Sequence, residues 1–443
     1  MIAKNFNRDQ LLNACERHWV PSAAKLYHLA GTQVEERAFG CEVFDTNNRR
    51  YIDFACSYGV FVVGHSHPKV HQAFVEQLTR MAWSAKGQNS VAEKALTDKL
   101  CQLAPGNWSK VSYMLSGAEA VEQSLRYVLQ ARPDRKKIVI VEGAYHGKTL
   151  AAMSLLGQSQ HEKSFGSLSH HVVKVPYGDF PAMRSAIGDG ACAVYLEPIL
   201  GGAHLSMPPL GYLEDVRQLC TKTNTILVAD EIQTAFGRCG QMFAVNYGKV
   251  TPDILILSKG LTGGFTSFSC AMYGSDIWED YYPDDAFFNS TGGHPLGCAT
   301  ALAAIEVIEN EDLLAASIEK GSRLRFGLIK LAHQYPDIID DVPGVALMTG
   351  LRLKGAKYET LLSKGLSERG VHVGHSMNEK ATAPVLRFYP PLMVSDEIID
   401  EVLEHTSQAL SEIAQLSRLK LSAVSIMTEN MYKLPISLIK RAS

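Results

Sequence analysis

Two residues of this chain have both the type and the setting for chemistry, Asp230 and Lys259. Asp230 closes the run Thr225-Ile-Leu-Val-Ala-Asp230-Glu-Ile-Gln233, and Lys259 follows Pro252-Asp-Ile-Leu-Ile-Leu-Ser258. Each run is apolar, rich in β-branched residues, and ends abruptly in charge. A strand buried on both faces that delivers a functional group at its carboxyl end reads this way. An acid and an amine on neighbouring strand ends allow two outcomes: a structural ion pair, or a site in which the lysine is a nucleophile.

The elements that must position them follow a rhythm of strand, loop and helix. Residues 111–115 lead into Ser116-Gly117-Ala118-Glu119 and a helix with apolar positions at Val121, Leu125, Val128 and Leu129. Ser116 and Glu119 have the spacing of a capping box. Residues 137–141 lead to Glu142-Gly143-Ala144-Tyr145-His146-Gly147, and 193–196 lead to Glu197-Pro198-Ile-Leu-Gly201-Gly202. A further strand covers 268–273, and a long helix covers Pro295–Asn310. The alternation predicts an α/β fold with a mostly parallel sheet covered on both faces and ligands at the strands' carboxyl ends. Every polar cluster named so far sits at such an end.

Around this core the texture differs. Residues 38–53 read as a hairpin turning at Asp45-Thr-Asn-Asn48, and a helix pattern starts at Pro68 after the loop from Tyr58 to His67. His65 and His67 read as part of a helix entry rather than as metal ligands, because no third ligand lies nearby. Beyond 311, helical patterns near 311–333, 357–369 and 395–415 alternate with strand-like 345–348 and 385–389. The expected organisation is an N-terminal segment (1–54), a large domain (55–310), a smaller α+β domain (311–415) that the N-terminal segment joins, and an extension (416–443) without evident chemistry.

Composition narrows the function classes. The 443 residues are 46% hydrophobic and 20% charged with net charge −3, which gives no reason to expect nucleic acid or an anionic membrane surface. Nine cysteines occur without a Cys-x-x-Cys pair, as in the reducing cytoplasm rather than in a disulfide or zinc framework. A nicotinamide dehydrogenase would need Gly-x-Gly-x-x-Gly at a strand–helix turn, and only doublets such as Gly263-Gly264 exist. A P-loop ATPase competes better, since Gly143-Ala-Tyr-His-Gly147-Lys148-Thr149 follows a strand and Asp230 ends one. Its phosphate loop requires four residues between the glycines, however, and this one has three. Lys259 would also have no role.

Asp230-Glu-Ile-Gln233-Thr-Ala-Phe-Gly-Arg238-Cys-Gly240 followed by Ser258-Lys259-Gly-Leu-Thr-Gly-Gly264 resembles the signature of the class III aminotransferases, pyridoxal-phosphate enzymes of fold type I. Further stations fall in order over roughly 35–410: Gly64-His-Ser-His-Pro68, Ser116-Gly-Ala-Glu-Ala-Val-Glu122, Gly143-Ala-Tyr-His-Gly147, Glu197-Pro198, Gly292-Gly-His-Pro295 and Arg387-Phe-Tyr-Pro-Pro391. The resemblance implies a transaminase that works by a ping-pong route between an amine or amino acid and a 2-oxo acid. Aminomutases, decarboxylases and lyases share the same cofactor residues and remain the nearest alternatives. It implies that Lys259 forms the Schiff base and shuttles a proton, while Asp230 keeps the pyridine nitrogen protonated. Tyr145 and Ile232 would pack the two ring faces, and Ser116, Gly117 and Ala118 would bind the phosphate. His146, Glu197 and Gln233 belong to the implied cofactor site, with His146 either catalytic or a support, and Glu197 either a site residue or a buried partner of Gln233 or Arg238. A partner subunit's hydroxyl, from Ser290 or Thr291, would reach the phosphate, which implies a homodimer with shared sites. Arg387 and Tyr58 are the candidate substrate residues, Arg387 for a carboxylate. The family pattern is broken at three positions: Gly202 stands where ω-amino acid members carry a glutamate that masks the arginine, and Val121 and His294 stand where asparagines are usual.

Overall fold

The computed structural model describes residues 8–19, 25, 34–85, 88–157, 171–202, 205–278, 290–376 and 383–430. The chain divides into two compact units, Gly59–Ile318, and Met1–Tyr58 together with Glu319–Ser443. Among the described residues, no helix is long and apolar enough to cross a membrane.

The first unit is built on a seven-stranded sheet in the order Trp108–Met114, Ser269–Gly274, Ile254–Leu257, Ile226–Asp230, Ala193–Leu196, Lys137–Val141, His171–Val175. Ser269–Gly274 runs against both neighbours, and the remaining strands share one direction. Side chains alternate between two cores. Ile138, Ile140, Val228 and Ile256 pack with the helix Gly117–Ala131 on one face. Val139, Val141, Val194 and Leu227 pack with Phe180–Ile187 and Tyr212–Lys222 on the other. Burial of each such side chain contributes about 1.5–3 kcal/mol, which explains why these strands are apolar without alternation. The register sets Asp230 beside Ile256, so Leu257 and Ser258 separate that level from Lys259. The strand His171–Val175 has no counterpart in the sequence reading; it is an edge strand of mixed exposure, with little apolar pattern to announce it.

In the second unit the strands Glu35–Phe39, Glu42–Asp45 and Arg50–Phe54 form a meander, and Val371–Val373 joins it in parallel with Val371 beside Ile52. The N-terminal segment and the chain's last third therefore share one sheet. A second sheet centres on Met348–Leu353, with Ile339–Asp341 and Gly344–Val345 on one side and Val385–Phe388 on the other. The sequence reads 345–348 as one strand. Here it is a tight hairpin, because Ala346 takes φ +49 and turns Val345 back onto Met348. The extension contributes the helix Arg418–Asn430, tied to the helix Ala356–Glu368 by a 3.3 Å bond from Thr428 to Thr360.

The hairpin lies against the helix Leu313–Gln334 at Gly321, where a Cβ would stand 2.1 Å from the Ala346 carbonyl carbon. Backbone cannot yield as a side chain can. Gly321→Ala is expected to destabilise by about 1–3 kcal/mol, read as a lower denaturant midpoint, although alanine favours helix.

Candidate active site

Asp230 is buried at the end of its strand, and both of its oxygens have partners. Oδ1 accepts the Ile232 amide at 3.0 Å, and Oδ2 meets His146 Nδ1 at 2.7 Å. His146 is fully buried, and its Nε2 has no hydrogen-bond partner. Burial opposes charge on this imidazole, but the bond to Asp230, its charge and that of Glu197 outweigh burial and raise the pKa. Lys259 begins a 3₁₀ turn at the next strand's end and takes φ +45. A non-glycine residue in that region carries strain of about 1–3 kcal/mol, which persists where its surroundings hold it. Here Ser258 donates from Oγ to the Phe268 carbonyl at 3.1 Å, and Gly260 packs so closely that a Cβ would stand 2.9 Å from Val62.

Glu197 organises the loop after the strand Lys137–Val141. Its Oε1 accepts the Tyr145 amide at 2.9 Å and its Oε2 the Gly201 amide at 3.1 Å. Burial pushes this carboxyl up to about 7 against the pull of His146, with Asp230 adding to the rise. Gln233 Oε1 lies 1.9 Å from where a Cβ on Gly201 would be, so a side chain at 201 would displace the Gln233 amide. The Tyr145 ring, held by its backbone, is 45% exposed and presents an aromatic face.

The capping box forms as the spacing implies: Ser116 Oγ accepts the Glu119 amide at 3.3 Å, while Glu119 accepts the amides of Leu115 and Ser116, each at 2.9 Å. The amides of Gly117 and Ala118 are the first-turn donors that a helix leaves without internal partners, and the Ser116 hydroxyl keeps its hydrogen to give. A Cβ on Gly117 would stand 2.7 Å from Ile232 Cδ1, and one on Gly147 (φ +116) would stand 2.7 Å from Ala118 Cβ. These contacts bring Ile232, the first helical turn and the loop of Tyr145 and His146 into one cradle. First-turn amides for an anion, an aromatic face, and a buried acid backed by an imidazole form a donor set that fits pyridoxal phosphate. The P-loop alternative fails here, because the Tyr145 amide is taken by Glu197 instead of facing a phosphate.

A class III aminotransferase family model matches residues 27–410. The chain belongs to the class III aminotransferases. It is 33% identical over 381 residues to ornithine aminotransferase 2 of Staphylococcus saprophyticus, covering 84% of this chain and 92% of that protein. It is also 33% identical over 388 residues to the ornithine aminotransferase of Bacillus anthracis, at 85% and 94% coverage. The crystal structure of ornithine aminotransferase from Toxoplasma gondii ME49 superposes with TM-score 0.83 and 25% identity over 93% of this chain and 97% of that one. A transaminase from the marine bacterium Virgibacillus has the same fold, with TM-score 0.84 and 22% identity over 91% and 99%. The enzyme is a transaminase of fold type I, and the cofactor of its family is pyridoxal phosphate.

The structure gives physical accounts of the aminotransferase's departures from the family pattern. His294 caps the helix Pro295–Asn310: its Nδ1 accepts the Gly297 amide at 3.0 Å, as an asparagine oxygen can, and its ring stacks on Trp83 at 4.3 Å. Val121 is fully buried in the core beneath the sheet, where an amide would need partners. Gly202 has φ +44, so a glutamate there would be strained. Ser290 and Thr291 are exposed.

Tyr58 and Arg387 lie together in the second unit. Arg387 Nη2 donates to the His375 carbonyl, and its Cζ stands 4.6 Å from the centroid of the Tyr58 ring. Tyr58 ends a run of left-handed residues (Cys56, Ser57 and Tyr58 at φ +47, +44 and +60) clamped by Asp53, which accepts the amides of Ala55 at 2.9 Å and Cys56 at 2.8 Å. Sequence reasoning missed Glu359, His375 and Ser376 beside Arg387; Glu359 sits among helical positions that are buried, and its inward charge was the available signal.

Glu231 was also missed. It is fully buried and pushed up to about 7 by burial; its Oε1 accepts the Val245 amide at 2.7 Å, and its other oxygen pairs with the Thr234 hydroxyl. A carboxyl raised from about 4.3 on folding contributes stability below that pH and loses it as pH rises through 7. Glu231→Gln keeps one acceptor and one donor. The stability lead of wild type over this variant is therefore expected to shrink by a few kcal/mol between about pH 4.5 and pH 8, measured by denaturant unfolding.

Proposed function

We propose that this aminotransferase moves an amino group from an amine or amino acid to a 2-oxo acid by a ping-pong route, with Lys259 as nucleophile and proton carrier. Support comes above all from the strand ends: Asp230 and Lys259 occupy adjacent ones, and the buried acid is held in place by His146 and the Ile232 amide. Pyridoxal phosphate, when bound, supplies an aldehyde that captures the amine and a ring that takes up the electron pair released at the α-carbon. Ser116, Gly117 and Ala118 hold the phosphate by the hydroxyl and first-turn amides. Tyr145 and Ile232 would pack against the cofactor's ring. Asp230 holds the proton on the ring nitrogen, and His146, gripping its Oδ2, fixes the direction in which that carboxylate faces. Glu197 keeps the Tyr145 loop in place, and Gln233 packs against Gly201 beside it. The Lys259 amine would serve as the base and acid for the α-proton once the group is bound.

Arg387 receives the substrate carboxylate, with Tyr58 beneath its guanidinium. The relatives compared above are named for ornithine. Gly202 stands where ω-amino acid members carry the glutamate that masks this arginine, which favours α-carboxylates and an amine:pyruvate or diamine type of exchange. A homodimer with shared sites is supported by exposed Val75, Leu78, Met81 and Trp83 on one segment and by exposed Ser290 and Thr291, which would serve the partner's phosphate. Nine free cysteines suit a reducing cytoplasm.

Lys259→Ala, purified with added cofactor, is expected to lose turnover and the visible absorbance of the loaded wild type; retention of both would refute the assignment. Arg387→Ala is expected to lower kcat/KM for the oxo acid about a hundredfold, the size of a charged bidentate contact. An unchanged value removes Arg387 from the site.

A further inference from the structure

The helix Ala356–Glu368 grips the segment that holds Arg387. Buried Glu359, in its first turn, accepts the Ser376 amide at 2.5 Å and the Ser376 hydroxyl at 2.8 Å. One turn on, Ser363 Oγ lies 2.9 Å from His375 Nε2. Residues four apart share a helix face, so one face of this helix holds two successive residues of the segment. On its other side the segment is fastened to Arg387 itself: the Gly374 amide donates to the Arg387 carbonyl at 2.9 Å and the Arg387 amide to the Gly374 carbonyl at 2.7 Å. Between these anchors lies the His375 carbonyl, which accepts from Arg387 Nη2. Tyr58, stacked under the guanidinium, takes a hydrogen bond from the His375 backbone.

Charge follows the same geometry. Arg387 is buried, and its Nε has no hydrogen-bond partner. The His375 ring is held neutral, its pKa brought down to about 4 by burial and by Arg387. Glu359 is the acid whose field reaches both Arg387 and Tyr58. Removal of this one carboxylate would take away the acceptor of the Ser376 amide and hydroxyl, loosen the carbonyl that aims the guanidinium, and remove a negative charge whose field reaches the buried cation.

We propose that Glu359 is a positioning residue for substrate binding: through Ser376 and the His375 carbonyl it aims Arg387, and it balances the charge that a substrate carboxylate meets. The proposal rests on the reading of Arg387 as the carboxylate anchor. It assigns Glu359 no contact with substrate, so its removal acts on acid substrates through Arg387 and leaves a carboxylate-free amine unaffected.

The test compares the two half-reactions of the cofactor-loaded enzyme, one with a monoamine that has no carboxylate, the other with pyruvate. Glu359→Ala is expected to raise KM for pyruvate about tenfold, the size of one charged hydrogen bond, with the monoamine half-reaction unchanged. Ser376→Ala, which keeps the amide bond, raises it less, and Glu359→Asp restores part of the loss. In an Arg387→Ala background, Glu359→Ala adds nothing further. Equal losses in both half-reactions, or additive losses in the double variant, overturn the proposal. If Glu359→Ala fails to fold, Glu359→Gln and Ser376→Ala carry the same comparison, and unchanged pyruvate KM in both overturns it. Arg387→Ala without effect on pyruvate defeats the underlying reading as well; an effect there with none from Glu359 defeats only this proposal.

Discussion

Buried charge at the ends of a two-faced sheet is the constraint from which the large unit follows. Strands covered on both sides cannot release a polar group to water along their length, so the polar groups gather where the strands stop. There Asp230, His146 and Glu197 are enclosed by the core; Asp230 pairs with His146, and both carboxylates take up turn amides. Each loop is shaped by that need. The Tyr145 loop bends around Glu197, and the turn after Asp230 folds back so that the Ile232 amide reaches Oδ1. The glycines at 117, 147 and 201 follow from the same crowding, since a methyl at any of them would meet an atom closer than van der Waals contact allows.

The central strands were legible because they are uniform: 226–230 and 254–257 are apolar at every position before the charge, and the structure buries all of them. The capping box was legible because its two members are fixed by spacing alone. Edge strands were not. His171–Val175 and Val371–Val373 are short, and histidine stands at the first position of one and in the middle of the other, so composition does not separate them from loop. The partners of Arg387 escaped for a different reason. Glu359 and Ser376 are brought together by the docking of the helix Ala356–Glu368, a relation between elements that no local pattern encodes.

The two units secure their functional side chains differently. In the large unit, strand register does most of the work, because neighbouring strands deliver Glu197, Asp230 and Lys259 in order. In the other unit a single helix face and a run of left-handed residues hold Tyr58 and Arg387 together. The strain of that run, on the order of 1–2 kcal/mol for each residue, must be offset by its surroundings, of which the Asp53 clamp is the visible part.

Where the family's usual asparagine would cap the helix Pro295–Asn310 with an oxygen indifferent to pH, this chain uses an imidazole nitrogen that can itself take up a proton. Once protonated, Nδ1 can no longer accept, and the helix start loses an interaction worth about 1 kcal/mol. Burial of His294 holds its pKa below the ordinary histidine value, so the cap stays in place through neutral pH and is released only in acid. The substitution gives one helix start an acid limit that an amide would not impose.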